Sequence, residues 1–272
     1  MTGPLHISGT QMTAIGSGKG GTGKTLLAVS LAHALAHEGE RVLLLDADLG
    51  LSNTTVHLGL ESGGNFFALL AGQCPLAKAV VKVQGGIDER GGFDLLSGPS
   101  GSGAMANVDR KIATTLMKTL RNAGRYDRVI VDLGAGVDSK TMDFAVAADE
   151  TLLVLTPDPA SLTDAYAFAK LLLRASGSRV PEILVNMSAS DTEARRTADA
   201  LIATCQSFLK KVPQYLGSIP RDNRVVQALR QQAQMLTMFP QAPASHAVEQ
   251  IAKKLHSRLP STFAAAHTNT IR

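Results

Sequence analysis

Short apolar runs of strand character alternate with helix-period segments along nearly all of the 272 residues, and this alternation limits the available folds more than any other feature. Residues 12–17, 41–46, 93–97, 128–132, 151–156, 182–186 and 214–219 are predicted strands, and 24–37, 107–123, 139–147, 161–175, 193–209 and 222–232 are predicted helices. A strand followed by a helix and another strand implies a crossover connection. The expected class is therefore α/β, a doubly wound, mostly parallel sheet with helices on both faces. Runs such as Val42-Leu43-Leu44-Leu45 and Leu152-Leu153-Val154-Leu155 are apolar at every position, as strands are when both of their faces are covered.

Composition narrows the function classes. Hydrophobic residues make up 44% of the chain, enough for a sizeable core, while aromatics are 4% with no Trp, which disfavours a base-stacking platform for single-stranded nucleic acid. Cys74 and Cys205 lie far apart with no zinc spacing, which fits a reducing compartment. Residues 1–11 lack the basic and apolar regions of a signal peptide, and no apolar run reaches the ~18 residues of a spanning helix, so a soluble intracellular protein is expected. Residues 1–150 carry 13 basic and 15 acidic side chains, residues 151–272 carry 14 and 8. That asymmetry reads either as carboxylates gathered near a cation site or as a basic face turned toward an anionic partner. Glycine-rich stretches at 62–65, 85–92 and 98–103 read as surface loops. Residues 1–260 parse as a single domain, and 261–272, without apolar period, as a mobile C-terminal tail.

The first predicted strand runs into Gly18-Lys19-Gly20-Gly21-Thr22-Gly23-Lys24-Thr25, followed by an amphipathic segment. This is a phosphate-binding loop in its required strand–loop–helix setting. Its glycines let consecutive backbone N–H groups turn inward around phosphate oxygens, and the helix N-terminus adds partial positive charge. Lys24 is placed to reach the β- and γ-phosphates and the Thr25 hydroxyl to ligate Mg²⁺. The second predicted strand ends in Asp46-Ala47-Asp48, whose spacing aims both carboxylates to one side, and the fourth ends in Asp132 after four apolar residues, a Walker B arrangement holding Mg²⁺ through water.

Lys19, at the start of the loop, cannot easily fold back onto the same phosphates. With this second lysine the segment from Lys19 to Thr25 resembles the deviant-Walker-A ATPases, the MinD/ParA branch of the P-loop NTPases, and the resemblance runs from about residue 11 to about residue 259. It implies a MinD-like fold and an ATP-dependent homodimer with ATP/ADP and Mg²⁺ as cofactors. Lys24 and Thr25 would serve in cis and Lys19 would cross to the partner's nucleotide. By the same resemblance Asp48 positions the attacking water and Asp46 supports the metal shell, so Asp48, Lys19 and Lys24 are the catalytic candidates. Gly20, Gly21, Thr22, Gly23, Lys24 and Thr25 would cradle the phosphates, with Gly136 contacting them from a second switch. Asn186 would read the adenine edge, with Pro220 and Asp222 in a base-cradling loop. Thr25, Asp46 and Asp132 are the metal candidates. Leu133-Gly134 depart from the family's usual small polar residue and Pro at that switch.

Residues 43–53 and 161–167 look most like the FlhG/FleN group of flagellar number and placement regulators, which implies a slow regulatory ATPase acting through a FlhF-like GTPase or a sigma-54-dependent flagellar transcription activator. Asp164 would then lie near the dimer and partner surface, although an exposed helix position explains it equally. A positioning ATPase for division site or cargo, acting on membrane or nucleoid, is the alternative. A nucleotide-dependent binding module with almost no hydrolysis is the reading from another class. Cysteine placement disfavours an iron–sulfur reductase of this fold. Only about ten residues precede the first strand, which disfavours an N-terminal DNA-binding extension and the Gln-containing helix that stimulates FlhF. The expected location is cytoplasmic, with transient presence at the inner membrane or cell pole, weak membrane contact and no direct DNA binding. The stripe of Val248, Ile251, Ala252, Leu255 and Leu259 reads as a last core helix in preference to a lipid anchor. His33 and His37 read as part of a solvated polar face.

Overall fold

The computed structural model describes residues 9–48, 54–61, 64–97 and 110–259. The loop at 98–103, the start of the helix predicted from 107, and the tail 261–272 lie outside the described residues.

In chain order the elements are β1 (Gln11–Ser17), α1 (Lys24–His37), β2 (Val42–Ala47), α2 (Thr54–Leu58), α3 (Phe66–Leu70), α4 (Leu76–Ala79), β3 (Val81–Val83), β4 (Phe93–Leu96), α5 (Arg110–Asn122), β5 (Arg128–Ala135) and α6 (Ser139–Ala147). They continue as β6 (Glu150–Leu155), α7 (Pro159–Ser176), β7 (Glu182–Ser188), α8 (Asp191–Leu209), β8 (Tyr215–Pro220), α9 (Asn223–Arg230), α10 (Met235–Met238) and α11 (Pro243–His256). The eight strands form one sheet in the order β3-β4-β2-β5-β1-β6-β7-β8, parallel throughout except where β3 pairs antiparallel with β4. The expected doubly wound α/β class is what the chain adopts.

The continuously apolar strands divide their side chains between two cores. Leu43, Leu45, Val129, Val131, Leu153 and Leu155 point to one layer, where α5, α6, α7 and α8 contribute Leu116, Phe144, Phe168 and Leu201. Val42, Leu44, Ile130, Leu152 and Val154 point to the other, met by α1 and α11 through Leu27, Leu31, Val248 and Leu255. Alternation along a strand sends successive residues to opposite faces, so both must be apolar when both faces are covered.

Two details differ from the sequence expectation. The 85–92 stretch is built around a 3₁₀ turn at Gly86–Asp88, and β3 is an unforeseen edge strand of three residues. Short helices lie at Thr54–Leu58, Phe66–Leu70 and Leu76–Ala79, where no element was expected. The α11 stripe is a core face, as the sequence reading has it: Val248, Ile251, Ala252 and Leu255 are all buried against β8 and α1. No helix among the described residues is long and apolar enough to cross a membrane.

β1 lies centrally, paired to β5 on one side and β6 on the other. The crevice beyond the carboxyl ends of β1 and its neighbours is where open α/β sheets bind ligands. Residues 18–25 lie there.

Candidate functional site

The loop after β1 is shaped by glycine at places where no other residue fits. A Cβ on Gly18 would stand 2.2 Å from the Asp164 carbonyl oxygen on α7, so α7 packs directly on the loop's first residue. Asp164 is therefore neither a plainly exposed helix position nor shown at an interface: its backbone seats the loop. Gly23 adopts φ +81° as the N-cap of α1, and a Cβ there would also meet the Asn186 Nδ2 at 2.5 Å. Gly21 has φ +79°, and open space surrounds both it and Gly20, leaving the mouth of the loop unobstructed. The buried Thr22 hydroxyl has no hydrogen-bond partner.

Charged residues from three strand ends converge on this loop. Lys24 Nζ lies 3.1 Å from Asp132 Oδ1, with both side chains almost fully buried. Burial pushes the Asp132 carboxyl up to about 6; neighbouring Asp46 adds to that, while Lys24 and a hydrogen bond from Thr25 pull it back. Asp132 Oδ2 is buried without a partner. Asp46 is buried on β2, and its Oδ1 accepts the Asp48 backbone amide at 3.0 Å, which ties the backbone of Asp48 to that carboxylate. The departure at 133–134 acquires a physical sense here. Leu133 faces the core and is fully buried, while a Cβ on Gly134 would stand 3.8 Å from Asp48 Oδ1 and 3.3 Å from Thr141 Oγ1. The tight neighbour is Thr141; against Asp48 the added carbon would make only ordinary van der Waals contact.

Gly136, with φ +96°, donates its amide to the Ser17 carbonyl at 3.0 Å. That donor is occupied inside the protein, so a phosphate contact by Gly136 requires this bond to open. Asn186 is buried at the end of β7; its Nδ2 donates to Thr22 O at 2.8 Å, and its Oδ1 accepts the Met187 amide at 2.9 Å. One amide hydrogen and one lone pair remain for a base edge. A cavity of about 280 Å³ opens beside it, lined by Gly23, Leu27, Asn186, Ile219, Pro220 and Asp222 among others. Asp222 itself is committed to capping α9, its carboxylate accepting the Arg224 amide at 2.9 Å.

Lys19 sits apart from the buried group. Its Nζ lies 2.7 Å from Asp158 Oδ1, in a half-exposed pair. Asp158 also caps α7 through the Ser161 amide and accepts the Thr156 hydroxyl at 2.6 Å, and these bonds, Lys19's first, hold its carboxyl down to about 2. Asp158-Pro159 signals a helix start in the sequence, but a partner 139 residues from Lys19 leaves no local sign. The structure thus brings Lys24, Thr25, Asp46, Asp48 and Asp132 together and places Lys19 on its own chain.

His33 corrects the solvated-face reading. It is buried at 1% exposure because α1 is enclosed by the sheet, α10 and α11. Its Nε2 lies 3.0 Å from that of exposed His37. Burial, with His37 adding to it, lowers the His33 pKa to about 4.

Comparison with known proteins places this geometry. The CbiA family, described as the CobQ/CobB/MinD/ParA nucleotide-binding domain, matches residues 13–235. The antiactivator FleN of Pseudomonas aeruginosa is 36% identical over 91% of this chain and 86% of its own length. The flagellum site-determining protein YlxH of Helicobacter pylori is 30% identical over 92% of this chain and 83% of its own. Among solved structures, the MinD cell division protein of Aquifex aeolicus superposes with a TM-score of 0.74 at 28% identity, covering 92% of this chain and 98% of that one.

Proposed function

The chain belongs to the CobQ/CobB/MinD/ParA nucleotide-binding family, and from that premise we propose that it is a slow ATPase switch that dimerises on ATP and regulates flagellar number and placement through partner proteins. The observation that carries the switch is the convergence of Lys24, Thr25, Asp46, Asp48 and Asp132 from three strand ends on one glycine loop. Similarity to FleN and YlxH over about nine-tenths of the chain supports the flagellar assignment. Residues 1–260 act as the single ATPase unit.

The residues present fit a magnesium nucleotide. The unpartnered Asp132 Oδ2, the adjoining Thr25 hydroxyl and Asp46 make an oxygen set suited to a small hard cation held partly through water. Bound there, Mg²⁺ supplies charge neutralisation to the phosphates. Lys24 leaves Asp132 for the β- and γ-phosphates, and the backbone N–H groups of Gly20, Gly21, Thr22 and Gly23 complete the cradle. Asp48 accepts a hydrogen bond from the attacking water and aims it in line with the γ-phosphate. Lys19 leaves Asp158 and crosses to the partner's nucleotide. The cavity beside Asn186 receives the base, with Pro220 and Asp222 forming its rim.

The FlhF-like GTPase and the sigma-54-dependent activator are the partners this reading names, with a cytoplasmic protein that is transiently at the inner membrane or cell pole and contacts the membrane weakly. A positioning ATPase is the second reading, favoured by the MinD likeness. Co-sedimentation with anionic liposomes and with DNA, each with ATP·Mg²⁺, separates the two, because strong binding to either surface supports positioning. Single-turnover phosphate release tests the enzyme: a slow release lost in Asp48→Ala is expected, and none in the wild type would leave a binding module.

A further inference from the structure

Between α5 and α6 the fold leaves a recess open. Its volume is about 320 Å³, and Met117, Val146 and Ala147 supply its apolar lining. Met117 is buried and the other two are half-buried, so they form the base. The rim comes from a second stripe of α5. Ala113, Leu116, Met117 and Leu120 face the core, which fixes their chemistry. Arg110, Thr114, Lys118 and Arg121 recur three or four residues apart beside them and all line the recess, where core packing imposes nothing.

The charge of this stripe has one sign. Residues 110–126 hold Arg110, Lys111, Lys118, Arg121 and Arg125 and contain no Asp or Glu. A helix face that only meets water mixes signs, as Arg195 and Asp199 do in their pair on α8. Little of the α5 charge is spent within the fold. Arg121 binds Asp149 at 2.8 Å, whereas Arg110 approaches Asp143 of α6 only to 3.9 Å. Lys118 is exposed and makes no ion pair among the described residues.

From this apolar recess with its acid-free basic wall we infer that the α5/α6 groove docks a short acidic segment of a partner protein. Charge complementarity identifies the occupant. Arg110 and Lys118 stand eight residues apart, a rise of about 12 Å along the helix, which an extended chain covers in about four residues. Acidic residues at i and i+4 therefore reach both cations, and an apolar residue at i+2 shares their side of the strand and seats on Val146 and Ala147. A nucleic-acid backbone fits less well, because Asp143 also lines the recess and would face its phosphates. A membrane surface fits less well too, since a recess presents no projecting apolar face. None of the residues lining this groove belongs to the nucleotide site, so the inference stands apart from the switch mechanism.

The test is a random twelve-residue display library selected on the full chain, with counter-selection against Lys118→Glu and against Ala147→Tyr, which fills the recess. Circular dichroism and fluorescent-nucleotide binding, expected to be unchanged in both variants, show that they are folded. Enriched peptides should carry an apolar residue two positions from an acidic one on each side. A synthetic representative should bind the wild type at least tenfold more tightly than either variant, and more weakly in high salt. Exchanging one of its acidic residues for Lys should restore binding to Lys118→Glu. No enrichment, enrichment without acidic residues, or equal binding by Ala147→Tyr would overturn the inference. So would Lys118-dependent binding of duplex DNA or phosphatidylglycerol vesicles in place of peptide, which would make this a polyanion surface.

Discussion

Replacing Asp158 by Asn tests whether Lys19 is held back before it acts. The substitution removes charge and little else. Asn Oδ1 can still accept the Ser161 amide that caps α7, and the new amide can donate to Thr156, so the helix start should survive. The Lys19–Asp158 pair is 2.7 Å long with side chains 32% and 41% exposed, so solvent screening limits it to about 0.5 kcal/mol, within the range of exposed ion pairs. If Lys19 must leave Asp158 in both protomers before crossing, the dimer breaks two such pairs. Asp158→Asn then spares about 1 kcal/mol per dimer, about a fivefold tighter ATP-dependent dimerisation constant. Since Asp158 is held down to about 2, the pair is intact above the ordinary carboxylate range and lost only as pH falls toward 2. The fivefold difference should accordingly be flat from pH 6 to pH 8 and shrink as salt rises. Sedimentation velocity over a concentration series, in an Asp48→Ala background with ATP·Mg²⁺, measures it. An unchanged or weaker dimer would refute the reasoning and place Asp158 in the dimer contact itself.

Three further expectations concern stability and the loop. Arg128, 1% exposed, binds buried Glu40 at 2.8 Å as well as Thr13, Glu150 and the Leu255 carbonyl; Arg128→Ala leaves buried Glu40 with His256 alone, 2.9 Å away, and should cost about 3 kcal/mol by urea denaturation. His33 has its folded pKa lowered from 6.5 to about 4, so the neutral ring favours the fold and stability falls as pH drops from 6.5 toward 4. At pH 5 that loss is about 2 kcal/mol, and His33→Leu should flatten the pH dependence measured by denaturant titration. Gly18→Ala drives a Cβ into the α7 backbone at Asp164, and nucleotide affinity measured with a fluorescent analogue should fall at least tenfold with the fold retained by circular dichroism.

The fold was legible because its demands are local or periodic. Strand–loop–helix around 12–37 follows from a motif whose glycines are fixed by backbone geometry, and Leu43/Leu45 against Val42/Leu44 shows why the two-sided strands had to be apolar throughout. Val81–Val83 escaped because three residues carry no usable period, and only pairing with β4 makes them a strand. His33 was misread because α1 was treated as having a wet face, whereas packing encloses it. Asp46, Asp48 and Asp132 could be proposed from their places at strand ends. The bonds of Lys19 to Asp158, Gly136 to Ser17 and Asn186 to Thr22 join parts of the chain more than a hundred residues apart, and no local pattern announces them.

The most direct measurement is the light-scattering mass of the wild type and Asp48→Ala in ADP·Mg²⁺ and in ATP·Mg²⁺. The account predicts 28.5 kDa with ADP and about twice that with ATP, the larger species persisting longer in Asp48→Ala. A mass that ignores the nucleotide in both proteins would contradict it, removing the dimer and the crossing Lys19 together.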